Sequence, residues 1–308
     1  MSPSLGKRLG FAADERIAVV HCDDIGMCHA ANLGAFESLD RGPATCGSVM
    51  VPCPWFCEAA DMAGARSDVD LGVHLTLTSE WPHYRWGPIA GASAVPSLLD
   101  AEGYLPRTAR EVLERARPEE ILIELRAQIE RALAAGIDVT HLDAHMGTAF
   151  MPPFIESYVR LALEHRVPAF AIRPDAHTLA LLGGASADGP ITRGLDAFEA
   201  GGGPILDGMD ADSLSFEPGD GEAHNAKRLA GLAPGVSYLI CHPAKGGEEL
   251  AAIAPDAHAR DFERTFYGGE PGRRALEREG IRTLGMRPLR DLMRGERQER
   301  RPGTTTPE

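Results

Sequence analysis

Short apolar runs alternate with amphipathic segments along most of this chain. Runs that are apolar on both faces are typical of buried strands of a parallel sheet, and a period near 3.6 is typical of surface helices. The pattern predicts strands at 16–22, 44–51, 69–75, 137–142, 168–172, 236–241 and 282–285, and helices at 30–41, 54–66, 118–135, 153–166, 257–266 and 271–279. Strands that alternate with helices predict an α/β fold with a parallel sheet.

Three segments lack a clear period. Residues 78–110 form a long predicted loop that contains Trp81 and Trp86, and residues 179–235 are rich in Gly, Asp and Pro. Residues 294–308 are charged and rich in Pro and Thr, which is typical of a disordered tail. We therefore predict one domain over residues 1–293, followed by a disordered tail.

Composition and charge narrow the class of protein. The chain has 308 residues, 44% hydrophobic and 25% charged, and its net charge of −14 argues against nucleic acid or anionic lipid as a partner. The sequence shows neither a signal peptide nor an apolar run near the ~20 residues that span a bilayer. We expect a cytoplasmic protein, and a homodimer because barrels of this size often pair.

Polar side chains that can bind metal ions follow several of the predicted strands. They are Asp23 and Asp24 after the first strand, His74 in the third, Asp143 and His145 at the fourth, and His242 after 236–241. Each has a structural explanation by itself, such as a core histidine or a turn cap. Because the carboxyl ends of parallel strands meet at one edge of a sheet, we expect these side chains to converge there.

Such a group suits metal-assisted hydrolysis. Two imidazoles and one carboxylate on a divalent ion leave positions open for water and substrate. One of the paired aspartates would hold the ion while the other acts as a base, and His242 would protonate a leaving group. The other histidines lack this position and are expected at the surface or behind the ligands, with His141 on the face opposite Asp143.

Five stretches, in order, resemble one family. VVHCDDIGMCHAAN, LGVHLTLTSEW, THLDAHMG, FAIRP and LICHP are similar to motifs of the YdjC-like carbohydrate deacetylases, relatives of the NodB-type polysaccharide deacetylases, and the likeness runs over about residues 16–290. The resemblance implies a single-domain deformed (β/α) TIM-like barrel that removes an acetyl group from an N-acetylated sugar with a divalent metal. The roles it implies are metal ligands Asp24, His74 and His145, general base Asp23, general acid His242, a supporting arginine Arg173, and Asp143 as the residue that orients a ligand histidine.

One position departs from the family pattern. The family usually has a second histidine where this chain has Gly147, so the ion or the substrate is expected to be bound differently if that histidine matters in relatives. Trp81 and Trp86 would either present aromatic faces to a sugar ring or pack inside their loop. The ion is expected to be zinc or magnesium, although such ligands also accept manganese or cobalt.

The sequence is also compatible with two other functions. A glycosidase could use two carboxylates in the same barrel without a metal. Alternatively, the residue change at Gly147 could mark a sugar-binding barrel with a degenerate site. The substrate sugar does not follow from the sequence.

Overall fold

A computed structural model describes residues 4–64, 66, 68–173 and 189–296. Its strands are β1 (Arg16–Ile25), β2 (Cys46–Val49), β3 (Leu71–Leu75), β4 (Val139–Ala144), β5 (Gly208–Asp210), β6 (Gly235–Cys241) and β7 (Ile281–Thr283). Its α-helices are α1 (Leu5–Arg8), α2 (His29–Arg41), α3 (Phe56–Gly64), α4 (Ala109–Arg115), α5 (Pro118–Ala134), α6 (Ile155–His165), α7 (Pro190–Ala200), α8 (Gly221–Ala230), α9 (Glu248–Ile253), α10 (Ala257–Tyr267), α11 (Glu270–Arg278) and α12 (Arg287–Arg294).

The strands form one parallel sheet in the order β4-β3-β2-β1-β6-β5. The short strand β7 pairs with Arg16–Ala18, and β2 pairs with β1 from His21 onward. Helical crossovers connect the parallel strands, as parallel pairing requires. The sheet curls into a deformed TIM-like barrel, so the predicted fold class is confirmed.

Among the described residues, the side of the curled sheet between β4 and β5 is joined by isolated β-bridges instead of a continuous ladder of hydrogen bonds. Leu142 pairs with Ala169, and Ile172 pairs with Leu206 just before β5. The predicted strand at 168–172 is therefore wrong as a regular strand, and Pro168 at its start has no N–H to donate to a ladder. We call this side of the sheet the bridged seam.

The regular helices agree best with the pattern. Helix α5 begins with Pro118 at its first position and buries Ile121, Leu125 and Ile129, and Gly136 follows with a φ of +86°. Proline at the start and a left-handed glycine after the end are the usual helix boundaries. Helices α4, α7 and α8 and the three-residue strand β5 lie in segments for which the pattern made no assignment.

The carboxyl ends of β1, β3, β4 and β6 meet at one mouth of the barrel, as the parallel topology requires. No helix within the described ranges has both the length and the apolar character to cross a membrane. The predicted domain end at residue 293 falls inside α12, and most of the predicted disordered tail, residues 297–308, lies outside the described residues.

Candidate functional site

A cavity of about 450 Å³ opens at the carboxyl ends of the strands. Its wall carries the predicted residues Asp23, Asp24, His74, Trp81, Asp143, His145 and His242, together with Glu80 and Arg260. The sequence separates the first and last of these predicted residues by more than two hundred positions. The structure thus brings together the residues that follow the strands.

Two adjacent aspartates reach the same cavity because the strand is irregular at its end. Neighbouring residues of a regular strand point to opposite faces. Asp24 has a φ of +61°, and the register of β1 against β2 shifts between Cys22 and Ile25. This left-handed backbone is costly for a residue with a Cβ, by about 1–3 kcal/mol, and turns Asp24 toward the face that Asp23 already occupies.

His74 lies on β3 between two carboxylates. Its Nδ1 donates to Asp143 Oδ1 at 2.9 Å, and its Nε2 lies 3.5 Å from Asp24 Oδ1. Ser48 and Tyr238 donate to the other oxygen of Asp143. Burial alone would raise the pKa of Asp143, but the charge and hydrogen bond of His74 outweigh it and hold the pKa below its usual range. The ionised Asp143 fixes the ring so that Nε2 faces the cavity.

His145 is also held by a carboxylate behind its ring, but here Nε2 binds that carboxylate and Nδ1 faces Asp24. Its Nε2 donates to Glu80 Oε1 at 3.0 Å, and its Nδ1 lies 3.3 Å from Asp24 Oδ1 and 3.2 Å from His74 Nε2. Burial lowers the pKa of His145, but the Glu80 and Asp24 carboxylates outweigh burial and raise it to about 9. Glu80 was not predicted as a site residue, although it lies inside the LGVHLTLTSEW motif.

These contacts leave three possible ligand atoms facing one another, one each from Asp24, His74 and His145. Asp24 Oδ1 is buried and has no hydrogen-bond partner among the described residues, and the facing nitrogens of His74 and His145 complete a triangle with edges of 3.2, 3.3 and 3.5 Å. Tetrahedral zinc with bonds of 2.0–2.1 Å places its ligand atoms about 3.3–3.4 Å apart. Octahedral magnesium at similar bond lengths requires about 2.9 Å. The residues present therefore fit a divalent ion, and their spacing is nearer to that of zinc.

Arg260 balances the charge of the Asp24 carboxylate from the other side. Its Nη1 donates to Asp24 Oδ2 at 2.7 Å, and its Nε donates to Asp256. Burial would raise the pKa of Asp24, yet the Arg260 charge and the two imidazoles hold it well below its usual range. Because Oδ2 is engaged by Arg260, Oδ1 is the oxygen left for an ion. No motif in the sequence marked this arginine.

Asp23 is held apart from this triangle by His21. The Nδ1 of His21 donates to Asp23 Oδ1 at 2.6 Å, while Asp23 Oδ2 lies 3.8 Å from His74 Nε2 and 3.8 Å from His242 Nε2. His21 in turn lies 2.7 Å from His141, so the expectation that His141 points away from the site is wrong. Two further groups of possible ligand atoms lie close together: His21 with Cys46 and His141, and His21 with Asp23 and Asp143. Their ring nitrogens, however, already share hydrogen bonds.

His242 follows β6 and is held by residues that were not predicted. Its Nδ1 lies 2.9 Å from Ser213 Oγ, which donates to Glu263 Oε2 at 2.7 Å, and the backbone N–H of His242 also donates to Glu263. Burial lowers the pKa of His242 to about 4, against the opposing charges of Asp24 and Asp23. The ring is therefore neutral at pH 7, with Nε2 facing Asp23.

The remaining predicted residues divide between the cavity and other places. Trp81 lines the cavity, whereas Trp86 is buried behind it and donates its Nε1–H to the carbonyl of Thr78. Gly147 lines the cavity with a φ of +65°, and a Cβ built there would have no neighbour within 4 Å. Arg173 is 45% exposed and forms ion pairs with Asp196 and Glu199, so the structure does not place it among the cavity residues.

Comparisons with known proteins identify the family of this chain. The family model described as YdjC-like protein matches residues 18–279. A Thermus thermophilus protein named carbohydrate deacetylase is 43% identical over 259 residues, which cover 83% of this chain and 88% of that protein. A Yersinia enterocolitica protein named chitooligosaccharide deacetylase is 30% identical over 169 residues, which cover 53% of this chain and 61% of that protein.

The fold is also seen in a solved structure. The crystal structure of a putative cellobiose-phosphate cleavage protein from Enterococcus faecalis V583 superposes with a TM-score of 0.71 at 22% identity, and the match covers 89% of this chain and 99% of that chain. At this identity the likeness establishes the fold alone. The match of the family model over most of the chain, and the Thermus relative, confirm the resemblance found in the sequence motifs: the chain belongs to the YdjC-like family.

Proposed function

We propose that this chain is a metal-dependent carbohydrate deacetylase that hydrolyses the N-acetyl group of an acetylated sugar. The observation that carries the proposal is the convergence of Asp24, His74 and His145 on one point, with the unliganded carboxylate of Asp23 beside it. The names of the relatives support the reaction class.

Asp24 Oδ1, His74 Nε2 and His145 Nδ1 would hold the ion, which we propose to be zinc on the basis of the spacing and of the two imidazole ligands. When bound, a divalent ion supplies Lewis-acid activation of water and of the acetyl carbonyl. Asp143 and Glu80 keep both imidazoles in the orientation that binding needs. Arg260 leaves one oxygen of Asp24 free for this role.

Asp23 is the residue we propose as the general base. Its Oδ1 accepts the hydrogen bond of His21, so Oδ2 is the oxygen that faces the cavity and can take a proton from water. A carboxylate held this way keeps its reacting oxygen at a fixed distance from the ligand triangle.

His242 is the proposed general acid. With a pKa of about 4 it carries no proton on Nε2 at pH 7, so it would acquire the proton it delivers during turnover, from the side of Asp23 Oδ2 3.8 Å away. That proton would then go to the departing amine of the sugar. Trp81, at the cavity wall, is placed to offer an aromatic face to the sugar ring.

The experiment is acetate release from a panel of N-acetylated sugars and chito-oligosaccharides by the zinc-loaded protein. His74→Ala should abolish turnover and zinc binding, whereas His83→Ala, at an exposed histidine outside the cavity, should change neither. Turnover that survives complete removal of the metal would contradict the proposal. Metal-independent release of a sugar from a glycoside would instead indicate the two-carboxylate glycosidase, and bound zinc without any turnover would indicate a degenerate sugar-binding barrel.

A further inference from the structure

A chain of buried hydrogen bonds runs inward from Asp23. Asp23 Oδ1 is joined to His21 Nδ1 at 2.6 Å, and His21 Nε2 is joined to His141 Nε2 at 2.7 Å. His141 Nδ1 lies 2.9 Å from Thr140 Oγ1, and Thr140 also donates to Asp70 Oδ1. The chain therefore links the proposed base to a second carboxylate through three intermediate side chains.

This chain crosses the inside of the barrel. Asp23 lies at the carboxyl end of β1, whereas Asp70 directly precedes β3 at the opposite end of the sheet. His21, Thr140 and His141 are fully buried, and the two aspartates are each 7% exposed. A buried polar network costs stability unless every member is hydrogen-bonded, and each member here has its partner.

The hydrogen bonds of the chain are coupled to one another. If Thr140 donates to Asp70, then His141 Nδ1–H donates to Thr140 and its Nε2 accepts from His21, which donates from both ring nitrogens, Nε2–H to His141 and Nδ1–H to Asp23. If Thr140 instead donates to His141, then His141 Nε2–H donates to His21 and Asp70 carries a proton. Burial raises the pKa of Asp70 and, with the charge of His21, lowers the pKa of His141. Both arrangements leave a proton on His21 Nδ1, and this proton is donated to Asp23.

We propose that Thr140 and His141 are positioning residues that act through His21 on the carboxylate of Asp23. Resting on the role proposed above for Asp23, this inference assigns the position and ring angle of His21 to residues deep in the core. The stacking of His21 on Tyr238, with ring centroids 4.6 Å apart, fixes the plane of the ring but not its rotation within that plane. Thr140 and His141 supply that second constraint.

The matched variants are Thr140→Val, which keeps the side-chain shape without the hydroxyl, and Thr140→Ser, which keeps the hydroxyl. T140V should lower kcat about ten-fold with KM and zinc affinity unchanged, and T140S should stay within about two-fold of the wild type. Ser38→Ala is the control, because it removes a buried hydroxyl bonded to Gly34 O in helix α2, away from the chain. It should cost stability without changing kcat.

A second measurement does not depend on activity. In the protein labelled with ¹⁵N-histidine, the 2.7 Å contact between His21 and His141 should give a nitrogen–nitrogen coupling across the hydrogen bond. The coupling should persist in T140S and be lost or reduced in T140V. If T140V does not fold, His141→Gln replaces it, because its amide can reach His21 but not Thr140 at the same time, and the same loss of kcat is expected.

Three results would overturn the inference: no coupling in the wild type, a T140V or H141Q enzyme with wild-type kcat, or an equal loss of kcat in T140S. A wild-type protein that releases no acetate from any sugar would refute the proposed function instead. In that case the coupling and its response to T140V still decide whether the chain orders His21.

Discussion

The contact between Glu80 and His145 makes a quantitative prediction about metal binding. In Glu80→Gln, the hydrogen bond to His145 Nε2 can persist, but the negative charge 3.0 Å from the ring is lost. Replacing a carboxylate behind a ligand histidine typically costs 10–100-fold in metal affinity. The same change also removes the first of the charges that raise the pKa of His145 to about 9, so protons compete less with zinc.

The two effects change zinc affinity in opposite directions, and only the competition with protons depends on pH. With a pKa of about 9, His145 is protonated at neutral pH, so wild-type zinc affinity should rise about 80-fold between pH 6.5 and 8.5 from this proton alone. In E80Q the folded-state pKa falls, and this rise should be much smaller. The variant should thus bind zinc nearly as well as the wild type at pH 6.5. At pH 8.5 it should bind about 2.5–25-fold more weakly, because protonation of His145 still lowers wild-type affinity about four-fold there.

Competition with a chromophoric zinc chelator at both pH values measures the prediction. Glu102→Gln is the control, because Glu102 belongs to the same long loop but its side chain is 64% exposed and pairs with Arg85. E102Q should follow the wild-type curve. A ratio of wild-type to E80Q affinity that does not change with pH would refute the assignment of His145 as a ligand that loses a proton on binding.

Four other substitutions, the last two of them a matched pair, test separate parts of the site. His242→Ala should lower kcat at least 100-fold while zinc affinity stays unchanged, as measured by kinetics and chelator competition. Arg260→Met should destabilise the metal-free protein by about 3–5 kcal/mol in urea unfolding at pH 7, and less at acidic pH, because the lowered pKa of Asp24 stabilises the fold only while that carboxyl is ionised. Trp81→Leu should raise KM about 3–10-fold, whereas Trp86→Leu should lower Tm with little effect on KM; equal KM values in both variants would exclude sugar stacking on Trp81.

Much of the fold follows from the apolar pattern because strands β1 to β4 and β6 are buried on both faces. The run 16–22 predicted β1, but the strand continues to Ile25 because Asp23 and Asp24 are buried within it. Carboxylates normally end an apolar run, and only their partners His21 and Arg260 make their burial tolerable. Arg260 is distant in the sequence, so the pattern could not show the extension.

The site was predictable where its residues sit at strand ends. Asp24, His74 and His145 follow three apolar runs, and the topology of a parallel sheet brings such ends together. Arg260 and Glu263 lie on α10, among further charged residues that resemble an ordinary solvated helix face. A buried charge and an exposed one look alike in sequence, so the residues that balance the site were not found.

The bridged seam gives this barrel one wall that is easily altered. Between β4 and β5 the backbone is joined by two single bridges, and Phe170, which lines the cavity, lies in that stretch. Changes in length or shape here disturb few backbone hydrogen bonds, whereas an insertion within β1 or β3 would disrupt a ladder and shift the proposed metal ligands. Divergence of substrate preference among proteins of this architecture should therefore concentrate at the seam, while the opposite strands keep the chemistry constant.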